Sequence, residues 1–183
     1  MDKQYSKVDK GIIRTQVKEL KRQFSPSELE QKSHEIFRVI EDLKEFKEAI
    51  FVLLYWSLPD EVNTHQFILK WHKRKKIVLP VIIGNDLDLR LFENSDFLIP
   101  SSSFGIMEPQ RGETINPSYI DLAIIPGIGF DLKGNRLGRG KGFYDRLLPS
   151  LTAYKIGISF DFQIFKEIPI SKSDVPVDLV VYK

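Results

Sequence analysis

Three short runs of the chain, residues 49–56 (AIFVLLYW), 76–82 (KIVLPVI) and 121–126 (DLAIIP), are almost continuously apolar and rich in branched and aromatic residues. A strand with one face in water alternates polar and apolar side chains, whereas a run without alternation is covered on both faces. Helical patterns precede and separate these runs. Residues 7–23 place Ile12, Ile13, Val17 and Leu20 near one face with Lys and Arg elsewhere, which predicts a basic amphipathic helix. Ser25-Pro26-Ser27-Glu28 reads as a helix start, with Ser25 as cap, Pro26 in the first turn and Glu28 three residues on as in a capping box, and this helix is expected to run to about Lys47. Asn63 and Gln66 can cap a third helix in THQFILKWHKRK. Residues 88–92 (DLRLF) alternate, 143–148 (FYDRLL) suit a helix, and YKIGISF and DLVVY suit two more strands. Strands alternating with helices predict an α/β fold, a three-layer α/β/α arrangement on a largely parallel sheet, here within one domain spanning residues 1–183.

The 183 residues carry 27 Lys and Arg against 25 Asp and Glu, a net charge of +2. A reader of nucleic-acid backbones concentrates uncompensated cations on one face, so this balance argues against a nucleic-acid partner. The absence of cysteine excludes disulfides, thiol catalysis and thiolate metal sites, and suits a reducing compartment. The first residues are too polar for a secretory signal and no apolar run reaches the ~18 residues of a membrane span; a cytoplasmic, membrane-free protein is expected.

One loop stands out. Gly134, Gly138, Gly140 and Gly142 are interleaved with Arg136, Arg139 and Lys141 in GNRLGRGKGFYDRLL, residues 134–148. Glycine loses the most backbone freedom on folding, so such density implies positive φ or close approach to a ligand, and cations between the glycines imply an anion. The loop follows a buried strand and precedes a helix, the context that phosphate sites reuse; the competing reading is a solvated connection. GKG is not a Walker A ending, because Gly142 stands where that motif places the Ser or Thr that meets Mg²⁺.

The remaining candidates read two ways from the residues alone. Asp145 can hold Mg²⁺ beside a phosphate cradle or favour its own helix dipole, and Asp178, at the head of the last strand, can converge with it. Lys10 and Arg14, at i and i+4, can share an anion or form a solvated face. The cations at 73–76 suit a helix end. Glu61, after a buried strand, can accept hydrogen bonds from an amide- or amine-rich ligand or be solvated; Trp56 and Tyr55 suit the core, and the three histidines form no catalytic arrangement.

In their order, KGIIR, PDEVNT, GIMEP, PGIGFDLKGNRLGRGKGFYDRLL, GISFDFQ and DVPVDLVV resemble the 5-formyltetrahydrofolate cyclo-ligase family over nearly the whole chain. The resemblance implies ATP-dependent ring closure of 5-formyltetrahydrofolate to 5,10-methenyltetrahydrofolate, releasing ADP and phosphate and requiring Mg²⁺, on a fold similar to the sugar-phosphate isomerase and CoA transferase group, in a monomer. It implies that Lys10, Gly11, Ile12, Ile13 and Arg14, with Arg136 and the loop Gly138, Arg139, Gly140, Lys141 and Gly142, bind ATP, and that Arg139 and Lys141 serve the transferring phosphoryl group. Asp145 and Asp178 become the metal carboxylates, Glu61 bonds the pterin, and Trp56, Phe143 and Tyr144 border the reduced folate. Phe143 departs from the family's usual pair of tyrosines, so any role for a phenol there is lost. Two other functions remain compatible with the residues: a sugar-phosphate enzyme on a similar sheet, and a nucleotide-binding regulatory module without turnover.

Overall fold

In the computed structural model, which describes residues 7–101, 105–171 and 174–183 with side chains from Lys10 onward, the apolar runs become the middle of a six-stranded sheet. The elements, in chain order, are α1 (Lys7–Lys21), α2 (Pro26–Asp42), α3 (Lys44–Glu48), β1 (Phe51–Leu53), α4 (His65–Trp71), β2 (Lys76–Ile83), β3 (Asp86–Leu91), β4 (Leu98–Pro100), β5 (Met107–Pro109), β6 (Leu122–Pro126), β7 (Gly129–Asp131), β8 (Arg136–Leu137), α5 (Phe143–Leu147), β9 (Tyr154–Ser159), β10 (Ile164–Phe165) and β11 (Leu179–Tyr182). The sheet order is β11-β9-β6-β1-β2-β3. Every neighbouring pair is parallel except β2 and β3, a hairpin at one edge.

Successive residues of a strand face opposite ways, and the central strands feed two cores. Val52, Ile77, Leu122, Ile124 and Ile156 face α2, α3 and α4, where Ile36, Ile40, Phe46 and Phe67 meet them. Leu53, Val78, Ala123 and Ile125 face Phe130, Leu147, Leu148 and Leu151 on the other side. The absence of alternation is thus the signature of a sheet covered twice. On the second side the cover is mostly α5, 3₁₀ turns and the small β10-β7-β8 sheet.

Ser25 forms the expected capping box, with its N–H donating to Glu28 Oε2 at 2.7 Å and Glu28 N–H returning to Ser25 Oγ at 3.3 Å. The helix does not continue to Lys47. Leu43 is extended (φ −66, ψ 141), and the bend swings Phe46 into the core, against Phe67 and the edge of Trp71. At α4, Thr64 rather than Asn63 stands in the cap position, while Asn63 Oδ1 accepts from His65 N–H at 3.0 Å.

Candidate active site

Parallel strands bring their carboxyl ends together, and the loops leaving those ends enclose a cavity of about 410 Å³. Past β1 the chain continues through Tyr55 and Trp56 to Glu61; β6 ends at Pro126 and leads into Gly127 and Ile128; Gly138–Gly142 and α5 form another wall. α1 closes the side. Its rise and turn place Lys10 and Arg14 one above the other, with Lys10 Nζ donating to Asp174 Oδ2 and Arg14 Nε to the Gly138 carbonyl, each at 3.0 Å.

The glycines answer to specific constraints. Gly134 (φ +84) passes so close to Val177 that a Cβ would lie 2.2 Å from its carbonyl oxygen, and Gly142 (φ +73) turns the loop into α5. Arg136 is almost wholly buried, giving one guanidinium nitrogen to the Asp145 carboxylate and another to the Pro126 carbonyl. Arg139 reaches across to Glu61 Oε1 (Nε, 3.1 Å) and Asp60 Oδ1 (Nη2, 2.6 Å), and Lys21 also donates to Asp60. Burial alone raises the Asp60 carboxyl, but Lys21 and Arg139 outweigh it and hold the group below the usual carboxylate range. Asp174 is likewise opposed by burial and held low by Ser171 N–H and by Lys10.

The opposite wall is apolar, formed by Pro80, Ile82, Leu87, Ile106 and Met107. Set into it is Glu108, 7% exposed, accepting from Ile82 N–H at 3.2 Å; burial raises its pKa. Trp56 stacks on His65 at 4.1 Å between ring centres and lines the cavity. Tyr144 Oη is buried without a hydrogen-bond partner among the described residues, and burial, with Glu61 nearby, pushes its pKa far up. A cavity with a cationic glycine loop, two carboxylates held beside it and an apolar wall fits a polyphosphate next to an apolar, ring-shaped substrate.

The profile of the 5-formyltetrahydrofolate cyclo-ligase family matches residues 6–183. The chain belongs to this family. It is 31% identical to the 5-formyltetrahydrofolate cyclo-ligase of Mus musculus over 93% of the chain and 92% of the relative. Its fold is similar to the solution structure of Aquifex aeolicus 5,10-methenyltetrahydrofolate synthetase (TM-score 0.85, 36% identity, 94% and 89% of the two chains). The Mycoplasma pneumoniae 5,10-methenyltetrahydrofolate synthetase also superposes (TM-score 0.75, 27% identity, 94% and 98%).

In this cyclo-ligase chain the cavity gathers Lys10, Arg14, Trp56, Glu61, Arg136, Gly138, Arg139, Gly140, Lys141, Gly142, Phe143, Tyr144 and Asp145, all expected from the sequence. Two groups of expected residues lie away from the cavity. Gly11, Ile12 and Ile13 do not line the cavity, because the helical turn that aims Lys10 and Arg14 inward carries the intervening residues around the helix, leaving Ile12 51% exposed. Asp178 does not converge with Asp145. It sits at the amino end of β11, where its carboxylate accepts Lys155 N–H at 2.7 Å, at the end of the sheet away from the cavity. The carboxylate that the same segment delivers to the cavity is Asp174, four residues earlier. Nothing in its spacing distinguished it from Asp178; only the crossing of Lys10 over it does. Asp60, Tyr55 and Glu108 were also not singled out as site residues, although Asp60 and Glu108 lie in PDEVNT and GIMEP.

Among the described residues no cluster of three or more acidic or histidine side chains forms a metal cage. Mg²⁺ is commonly held by one or two carboxylates plus phosphate oxygens and water, and Asp145 and Asp174, both on the cavity, fit that pattern.

Proposed function

We propose that the chain catalyses the MgATP-dependent cyclisation of 5-formyltetrahydrofolate to 5,10-methenyltetrahydrofolate, with release of ADP and phosphate. The observation that carries this reading is the joining of two distant segments at one cavity: Lys10 and Arg14 of α1 against Asp174 and the Gly138 carbonyl. That junction gathers four kinds of group around one cavity, a cationic glycine loop, helix cations, carboxylates and an apolar wall, and these are the groups that one ATP and one folate would require.

A formamide oxygen leaves poorly as hydroxide. Transfer of the γ-phosphoryl group to that oxygen turns it into a leaving phosphate, and the N10 amine, held close within the same molecule, attacks the formyl carbon and expels it. The protein therefore needs to position and to stabilise charge rather than to supply a strong base. Lys10, Arg14, Lys141 and the backbone N–H groups of Gly138–Gly142 hold the triphosphate. Arg136 orients Asp145 through their ion pair. Asp145 and Asp174 would hold Mg²⁺, which would supply charge neutralisation at the phosphates. Glu61, whose second oxygen is fixed by Leu58 N–H at 3.0 Å, accepts from the pterin, and Trp56, Phe143 and Tyr144 border it. Cytoplasmic residence goes with this proposal; among the described residues, no helix is long and apolar enough to cross a membrane.

The test is the near-ultraviolet absorbance of the methenyl product when purified protein meets 5-formyltetrahydrofolate and MgATP. A rise that needs ATP, Mg²⁺ and the folate together is expected. Tight ATP binding with no folate-dependent turnover would instead make the chain a nucleotide-binding module.

A further inference from the structure

Among the described residues four carboxylates line the catalytic cavity: Glu61, Glu108, Asp145 and Asp174. Three of them are answered by cations of the protein itself. Arg139 meets Glu61 at 3.0 Å, Lys10 meets Asp174 at 3.0 Å, and Arg136 meets Asp145. Glu108 has one hydrogen bond and no ion pair among the described residues. The positive charge that acts on it from nearby is Arg90 of β3, which is itself paired with Asp88 at 3.4 Å.

The fold accounts for one of the two Glu108 oxygens. β5 packs along β2, and β1 pairs with β2 only as far as Val78. The Ile82 N–H, four residues on, is taken by Glu108 Oε1 at 3.2 Å. A neutral amide would accept that hydrogen bond equally well. The negative charge is what the fold does not use, and it is set in a wall of Ile82, Ile106 and Met107, where an unpaired charge is costly. Burial is the largest influence on its pKa and raises it, against the opposing Ile82 N–H and Arg90. A charge kept at such a cost beside a cavity fits a cation that comes and goes with the substrate.

The proposed cyclisation makes such a cation. The γ-phosphoryl group goes to the formyl oxygen, and the N10 lone pair then forms the new bond to the formyl carbon. The carbon–oxygen bond breaks with its electron pair going to phosphate, and the N10 proton leaves with the phosphate. The N5–C–N10 unit, neutral in the substrate, is left with one positive charge shared by its two nitrogens. We infer that Glu108 is a catalytic residue of this reaction, the counter-ion that stabilises the positive charge developing on that unit. The inference rests on the reaction proposed above. It divides the cavity by charge: Lys10, Arg14 and Lys141 answer the phosphates, and Glu108, in the apolar wall, answers the amidinium.

The experiment compares a cation with a neutral ligand. Binding of 5,10-methenyltetrahydrofolate and of 5-formyltetrahydrofolate, without ATP, is followed by tryptophan fluorescence, since Trp56 lines the cavity. The two ligands share pterin and tail, so the ratio of their Kd values isolates the one-carbon unit. Glu108→Gln keeps the shape and an acceptor for the Ile82 N–H and removes only the charge. In this variant Kd for the methenyl cation should rise at least about tenfold, within the scale of one charge pair at an intermediate dielectric, while Kd for the formyl compound hardly moves. Its kcat should fall on the order of a hundredfold, with KM for 5-formyltetrahydrofolate and Tm close to those of the natural protein. Glu108→Asp, which keeps the charge but withdraws it from Ile82, should lower Tm and retain the preference for the cation. Equal weakening of both folates by Glu108→Gln, or no change in either, overturns the counter-ion and leaves Glu108 as a peg that holds β5 to β2. Should Glu108→Gln fail to fold, loss of the cation preference in Glu108→Asp overturns the inference and its retention supports it. Absence of cyclisation by the natural protein would sink the reaction itself, a different result from an active enzyme whose two affinities do not separate.

Discussion

At the residue scale, the two carboxylates of the final segment make opposite predictions. Asp174 lies on the cavity and holds Lys10, whereas Asp178 ties β11 to β9 through Lys155 N–H. Asp174→Ala should lower kcat/KM by a hundredfold or more and raise the Mg²⁺ concentration needed for half-maximal turnover, since removing one preorganised charge at a transferring group costs on the order of 10²–10³ in rate. Asp178→Ala should leave turnover and Mg²⁺ dependence unaltered and cost about 1 kcal/mol of stability, the value of one lost hydrogen bond, read as a small fall in Tm. Equal kinetic losses in the two variants would return Asp178 to the site. Lys141→Ala and Asp145→Ala belong with Asp174→Ala: turnover should fall far more than thermal stability, and equal loss of folding in both would show that their work is structural. The sequence made the glycine loop legible because glycine and arginine there have few other reasons to alternate. It could not separate Asp174 from Asp178, because which of two nearby carboxylates reaches a cavity depends on where the chain crosses α1, a contact over 164 residues.

Elements were legible where their pattern is long. The buried strands, the capping box at Ser25 and the basic face of α1 follow from periodicity and side-chain chemistry over many residues. The two- and three-residue strands β4, β5, β7, β8 and β10 carry no period to read; they exist because loops over the carboxyl ends pair with one another. The break at Leu43 escaped for a related reason, since it is set by the seat that Phe67 and Trp71 offer Phe46. Two glycines test the element scale. Gly134→Ala introduces a methyl against the Val177 carbonyl at positive φ and should cost about 3 kcal/mol from left-handed strain and overpacking together, roughly an 8 °C fall in Tm at this chain length. Gly11→Ala, in the body of α1 with open space around its Cβ position, should gain about 0.5–1 kcal/mol of helix stability and leave the ATP KM unchanged. A large rise in that KM would put Gly11 back at the nucleotide.

At the scale of the whole molecule, α1 is a clamp laid over the active site and fastened mainly by polar contacts. Val17 is its only fully buried apolar side chain among the described residues, and its attachments are Lys10 to Asp174, Arg14 to the Gly138 carbonyl and Lys21 to Asp60. Both carboxyls titrate below their ordinary value of 3.8 in the folded protein, because the cations and N–H groups around them outweigh burial. A depressed folded pKa means that the unfolded chain takes up the proton first. The stabilisation is therefore complete above the unfolded value near 3.8 and is lost as pH falls through the lower folded values. The natural protein and Asp60→Asn/Asp174→Asn should accordingly differ in Tm by a constant amount from pH 7 down to about 4.5, and the two curves should converge below pH 3.8; every other titrating group is common to both proteins and cancels. A gap that persists undiminished at pH 3 would mean that neutral hydrogen bonds, not ion pairs, fasten α1. Convergence would tie the clamp to charge, and on the proposed assignment of Lys10 and Arg14 to the triphosphate, the same protonation that frees the helix would dismantle the ATP side of the site before the doubly covered sheet unfolds.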